Sequence, residues 1–209
     1  MSFNPNFDGV WLTMNLTYRA GRKGDCPKLA DFIYIASDGV VEFLFRGLTP
    51  GLSPQQIMAR NLEKDGGHYT YKNAILAEKE RKVVGASFFY PSRYHVISDE
   101  MRQFYPADRL EHLKHVLSGG VENSLYIDTL CVDQDYRGNG IGAQLISLTK
   151  KKAAKEGFNA VSLIALADNS DAHRLYHRCG FEIVSDVEME PHELIPHEGG
   201  AYLMSCRLA

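Results

Sequence analysis

The sequence predicts an α/β fold, a single mixed, partly antiparallel sheet of about seven strands with flanking helices. Three patterns predict it. First, Leu125 to Val132 and Ala160 to Ala167 are nearly continuous apolar runs, as in strands buried on both faces, and they bracket a segment of helical apolar spacing. Such a strand–helix–strand unit builds a parallel pair. Second, Ala74 to Ala77 and Val83 to Tyr90 flank the charged Glu78-Lys79-Glu80-Arg81-Lys82, as in an antiparallel hairpin. Third, Phe181 to Met189 and Ala201 to Leu208 read as a terminal strand pair.

Size and composition bound the rest. The chain has 209 residues, 44% of them hydrophobic and 23% charged. At this length roughly 70% of the unfolded surface can be buried, so the core needs no staples. A single domain spanning residues 1–209 is expected. The net charge of −3 argues against a dedicated nucleic-acid binder, which shows a basic footprint. No apolar stretch is long enough for a membrane span, and Met1 to Pro5 lacks the basic-then-apolar pattern of a signal peptide. Cys26, Cys131, Cys179 and Cys206 form no CxxC pair and suit neither zinc nor a disulfide framework. No metal and a reducing cytoplasm are the expectations.

In chain order, an alternating segment from Leu12 to Tyr18, beside Trp11, reads as a first strand. Asp25 is a candidate N-cap with Pro27 just inside a helix. That helix carries Leu29, Phe32, Ile33, Ala36, Val40 and Val41, and runs to Phe43–Phe45 before Gly47-Leu48-Thr49-Pro50-Gly51 breaks it. Ser53-Pro54 starts a second helix that ends near Gly66-Gly67. After the hairpin, residues 91–120 form an insert, a long connection with helical content over Ala107 to Leu117 and several aromatic residues. Lid, core or dimer contact are all open for these aromatics. Ile141, Leu145, Ile146 and Leu148 line one side of the next helix, opposite Lys150, Lys151, Lys152 and Lys155, with Gly157 ending it. Asn169 to Cys179 is a short helix closed by Gly180.

The sharpest element is Arg137-Gly138-Asn139-Gly140-Ile141-Gly142-Ala143, between a buried strand and an amphipathic helix. Glycines let a ligand approach the backbone closely, and the helix start offers unpaired N–H groups and a positive dipole end. Together they suit a phosphate or pyrophosphate. Gly138, Gly140 and Ala143 match G-x-G-x-x-[GA] formally, but Asp133 to Arg137 separates them from the strand, and Ala143-Gln144 stands where a P-loop needs Lys-[Ser/Thr].

Leu130-Cys131-Val132-Asp133-Gln134-Asp135-Tyr136-Arg137-Gly138-Asn139-Gly140-Ile141-Gly142 resembles the acyl-CoA-binding segment of the GNAT (GCN5-related) N-acetyltransferases, with its [QR]-x-x-G-x-[GA] signature. Asn169 to Phe181 is similar to that family's second signature, a short helix ending in L-Y-x-x-x-G-F. The clear resemblance covers about residues 123–184, and Asp25 to Ala36 resembles the family's first helix only loosely.

The resemblance implies the GNAT/acyl-CoA N-acyltransferase fold and direct transfer of the acetyl group of acetyl-CoA to a primary amine. It implies a cosubstrate held along Leu130, Cys131 and Val132, over the amides of Arg137, Gly138, Asn139, Gly140, Ile141, Gly142 and Ala143, and near Asn169 and Tyr176. A pantetheine arm, itself a chain of amides, would pair strand-like with exposed backbone of Leu130 and Val132. Tyr176 matches the family's tyrosine that protonates the departing thiolate, and Asp128 stands where the family often keeps a carboxylate for the amine. Each has a structural alternative: a packed tyrosine with its hydroxyl on backbone, a carboxylate in a salt bridge. Glu122 and His95 are weaker candidates. A small-molecule acceptor is favoured by the insert, which narrows that side. A protein amine (lysine or N-terminal), or a non-catalytic acyl-CoA-binding regulatory module, stays open. So does a homodimer formed through an edge strand near the C-terminus.

Other signals are discounted. His173 and His177 lack a third metal ligand, His192-Glu193 with His197 is interrupted by Pro196, and Lys150 to Lys152 reads as a solvated face. Cys131 reads as a small buried hydrophobe.

Overall fold

The computed structural model describes residues 15–208. Seven strands form one sheet: β1 (Leu16–Ala20), β2 (Ala74–Lys79), β3 (Lys82–Pro91), β4 (Ser124–Val132), β5 (Ala160–Leu166), β6 (Glu182–Val187) and β7 (Ala201–Arg207). Their spatial order is β1-β2-β3-β4-β5-β7-β6. Only β4 and β5 run parallel, and the helix α6 (Ile141–Lys155) makes the crossover between them. The predicted fold class and strand number therefore hold. Residues 12–14 of the expected first strand lie outside the described residues, and the strand extends to Ala20.

Helices cover both faces. On one, α1 (Cys26–Ala36), α2 (Val40–Phe45) and α3 (Pro54–Leu62) bury Leu29, Phe32, Ile33, Phe43 and Met58 against Leu76, Ala86 and Phe88. On the other, α6 sets Ile141, Leu145 and Ile146 against β2 to β5, as its apolar spacing requires. Ser87 and Thr149, both buried between β3 and α6, satisfy one another at 2.9 Å.

Two expectations on the first face need correction. The helix expected to run to Phe45 is two helices, because Asp38 and Gly39 turn left-handed (φ 45° and 101°) and end the first. A Cβ on Gly39 would lie 1.9 Å from the Leu194 carbonyl oxygen, so the β6–β7 loop presses on this break. Asp25 holds the N-cap position of α1 with Pro27 in the first turn, but its side chain makes no capping bond. Its carboxylate accepts Arg22 N–H at 2.7 Å and both terminal nitrogens of Arg19 at 2.7 and 2.9 Å, and Arg19 also reaches Glu78. The guanidinium holds the Asp25 carboxyl below the usual carboxylate range.

The insert folds as α4 (Asp99–Phe104) and α5 (Ala107–His112) and packs on the α1–α3 side through Leu110, Leu113, Met101 and Tyr105. The last helix, α7 (Ser170–Arg178), lies on the α6 side, with Leu175 and Tyr176 against the core there.

Candidate active site

The site begins with one extra residue in β4. Opposite β3, Phe88 pairs with Thr129 and Phe89 with Ile127, so Asp128 is a bulge. A bulge bends its strand and shifts the side-chain alternation by one. Before it, Leu125 and Ile127 face the α6 side. After it, Leu130 and Val132 do, while Cys131 faces α1. The bend also ends the parallel pairing, since β4 and β5 pair from Ser124↔Ala160 to Ile127↔Leu163 and no further. Beyond that point the strands diverge around a cleft of about 1290 Å³ lined by Ile127–Val132 and Leu163–Leu166.

The parted edge of β4 keeps backbone groups turned into the gap. Asp133 donates its N–H to Val84 on β3 at 2.9 Å, so by alternation Cys131 also faces β3, and Leu130 and Val132 face the cleft. Gly138 and Gly140 adopt φ of 77° and 76°, and Gly140 stands immediately before α6. A Cβ at either would meet nothing within 4 Å, so these positions answer to backbone conformation and open space. Gly142 differs, since a Cβ there would lie 3.1 Å from Leu175 Cδ2, and this glycine lets α7 sit against α6. The first amides of α6 thus look into the cleft with no side chain in front.

The predicted cosubstrate residues gather there, with one difference. Leu130, Cys131, Val132, Arg137, Gly138, Gly140, Ile141, Gly142, Ala143, Asn169 and Tyr176 all line the cleft. Asn139 does not. Its amide donates to the carbonyls of Tyr136 and Arg137 at 3.1 and 3.0 Å and staples the turn. Arg137 Nε donates to the Val132 carbonyl at 3.1 Å, which aligns the guanidinium along the free edge. Asn169 caps α7, accepting Ala172 N–H at 3.1 Å. Tyr176 rests on Phe181, and its hydroxyl has no hydrogen-bond partner among the described residues. Burial pushes that hydroxyl up to about 12, so it carries its proton at neutral pH. Cys131 beside it is pushed up to about 11 by burial and is a thiol, not a thiolate nucleophile.

Asp128 lies half-buried in the cleft, where β4 bends. Its Oδ1 accepts the Tyr90 hydroxyl at 2.9 Å and its Oδ2 accepts Thr129 Oγ1 at 3.0 Å. No cation pairs with it among the described residues, and burial raises its pKa above the usual carboxylate range. Behind Tyr90 stands His95, with Nδ1 at 3.1 Å from the hydroxyl and Nε2 at 2.9 Å from the Val116 carbonyl. Burial drops His95 to about 4. A carbonyl only accepts, so Nε2 carries the imidazole proton and Nδ1 is bare. Sequence reasoning ranked His95 low and missed Tyr90. The signal available was a tyrosine and a histidine five apart at the end of a buried strand. Glu122 is exposed and does not line the cleft.

Of the discounted histidines, His177 is exposed, and His173 and His197 are held by polar neighbours. His173 Nε2 bonds the Leu166 carbonyl at 2.9 Å, and His197 lies 3.0 Å from Asp168 and 3.2 Å from Asp38. Among the described residues no cluster suits a metal, and no helix is long and apolar enough to cross a membrane.

Comparison with known proteins matches this arrangement. Residues 50–181 fit the profile of the acetyltransferase (GNAT) family. A solved acetyltransferase, 23% identical, superposes over 92% of this chain and 100% of its own, with a TM-score of 0.67. An agmatine N-acetyltransferase variant in its apo form, 16% identical, covers 91% of this chain and 97% of its own at a TM-score of 0.63. YncA from Salmonella typhimurium, solved with its cofactor acetyl-CoA, is 17% identical and covers 93% and 95% at 0.57. At these identities the likeness to solved structures is one of fold.

Proposed function

The chain belongs to the acetyltransferase (GNAT) family, and we propose that it moves the acetyl group of acetyl-CoA directly onto a primary amine of a small molecule. The parting of β4 from β5 beside an unobstructed glycine turn carries this reading. A strand edge with free amides suits the amide-bearing pantetheine arm, and the start of α6 suits the diphosphate. Bound acetyl-CoA supplies an acetyl group activated as a thioester.

This chain's residues then have distinct tasks. The backbone N–H of Leu130 or Val132 stands where the thioester oxygen gains charge. Asp128 receives the ammonium of the acceptor and takes one proton from it, freeing the lone pair that bonds to the acetyl carbon, and the nitrogen gives its second proton to solvent as the amide forms. Tyr176 gives its proton to the sulfur as the carbon–sulfur bond breaks, and regains one from solvent.

Tyr90 and His95 position Asp128. Tyr90 has one hydroxyl proton, and while it goes to Asp128 the bare His95 Nδ1 faces the hydroxyl oxygen. One added proton satisfies the whole line. Asp128 then donates to Tyr90, and Tyr90 donates to His95. In the charged state, the one that receives an ammonium, the Tyr90 hydroxyl bond lowers the Asp128 pKa against the effect of burial.

Calorimetric titration with acetyl-CoA, followed by thiol release over a panel of amines, tests the assignment. Binding with amine-dependent thiol release is expected. No heat at millimolar acetyl-CoA overturns the assignment. Binding without release to any amine identifies a regulatory acyl-CoA module instead.

A further inference from the structure

The cleft does not end at Asp128. It continues between β4 and the helices of the opposite face into a compartment built from the insert, α1, α2 and the segment before β2. Its walls are aromatic. The His68 ring stacks on Tyr94 with centroids 4.7 Å apart and planes 2° from parallel. His68 also meets Tyr90 edge-on at 5.1 Å. Tyr126 stacks with His95 at 3.9 Å, and Tyr90 stands between the two pairs. Both imidazoles are held neutral by burial, so these rings add no positive charge.

The mouth of this compartment is apolar and wet. Ile35, Tyr94, Val96 and Phe104 are exposed by 50, 42, 49 and 45%, and all four line the same cleft. Among the described residues the other large exposed hydrophobics are Ile183 and Val184, on the far edge strand. Exposed apolar side chains gathered at one pocket mark a binding surface. Charge is divided along the cleft. Arg137, Arg174 and Arg178 lie on the glycine-turn and α7 side, where phosphates are expected. On the aromatic side Asp128 stands at the inner end, and Asp38, Lys64 and Glu100 are exposed at the rim.

We propose, resting on the acetyltransferase reading above, that the acceptor is an arylalkylamine: a primary ammonium on a short arm from a flat apolar ring. The ammonium reaches Asp128 while the ring lies among Tyr90, Tyr94 and His68. Asp128 attracts the one cation, and the aromatic walls exclude water from the rest. A polyamine would carry further charges into walls that offer them no buried carboxylate. A peptide would lay its backbone polar groups along walls that are mostly aromatic and aliphatic.

The test uses the full chain at saturating acetyl-CoA, with phenethylamine, tryptamine, n-butylamine, spermidine and a short peptide with a free N-terminus. The expected result is a kcat/KM for the two aryl amines at least about tenfold above the others, the factor that one aromatic contact supplies. Tyr94→Ala, at an exposed position that folding tolerates, raises KM for phenethylamine by about the same factor and leaves acetyl-CoA affinity as it was. Preference for spermidine or the peptide, or equal use of n-butylamine, overturns the proposal while the acetyltransferase reading stands. Failure of acetyl-CoA to bind overturns both.

Discussion

Asp128 is a carboxylate without a cation, held by two hydroxyls at the bend of β4. Burial lifts its folded pKa above the unfolded value, so the residue costs stability at pH above that folded pKa and costs nothing below the unfolded range. Asp128→Asn is therefore expected to melt at a higher temperature than the natural protein at neutral pH, with the gain fading in acid. Turnover is expected to fall by about 10²- to 10⁴-fold, the worth of a positioned proton acceptor. Thermal melts and steady-state rates check both, and an unchanged turnover number excludes Asp128 as the base. The Tyr90 hydroxyl holds the Asp128 pKa down, while Tyr69 and Tyr126 also surround that carboxyl and His95 stays neutral above about 4. Tyr90→Phe should thus move the acid limb of the rate profile to higher pH, which a pH series of kcat/KM reads. Tyr176→Phe, which removes a protonated hydroxyl without a partner, should lower kcat about 10²-fold and leave acetyl-CoA affinity nearly unaltered by calorimetry.

Elements matter here by where they are interrupted. The bulge in β4 turns Asp128 into the cleft and parts two strands that would otherwise pair to their ends. The break between α1 and α2 does similar work on the acceptor side, because it lets Val40, Val41, Leu44 and Phe45 line the compartment. Gly39 makes that break, with φ of 101° and the Leu194 carbonyl against its Cα. Gly39→Ala adds both backbone strain and a collision. It should cost about 2 kcal/mol or more of stability, measured by urea unfolding. Apolar spacing over residues 29–45 suggested one helix, since Ala36 and Val40 keep the rhythm across Ser37-Asp38-Gly39. What overrides it is the loop before β7, far along the chain, pressing on the turn.

For the molecule as a whole, the cleft draws on both faces of the sheet: α6 and α7 on one, α1, α2 and the insert on the other. A molecule bound along β4 would touch elements from both faces at once. Acetyl-CoA at about 100 times its dissociation constant is expected to stabilise the fold by about 2.7 kcal/mol, seen as a concentration-dependent rise in melting temperature. No rise at any concentration would count against the cleft as its site.

The strand–helix–strand unit, the glycine turn and the Tyr176 helix could be read from residues 123–184 alone, because their chemistry lies in local spacing: apolar period, positive-φ glycines, and a helix start just beyond them. The acceptor side could not. His68, Tyr90, His95, Tyr126 and Asp128 come together only when β3, β4 and the insert pack, and the alternation that would orient them is shifted at Asp128 by a bulge that leaves no local mark. Short-range periodicity therefore determined the glycine-turn side of the cleft, while long-range packing decided what stands opposite it.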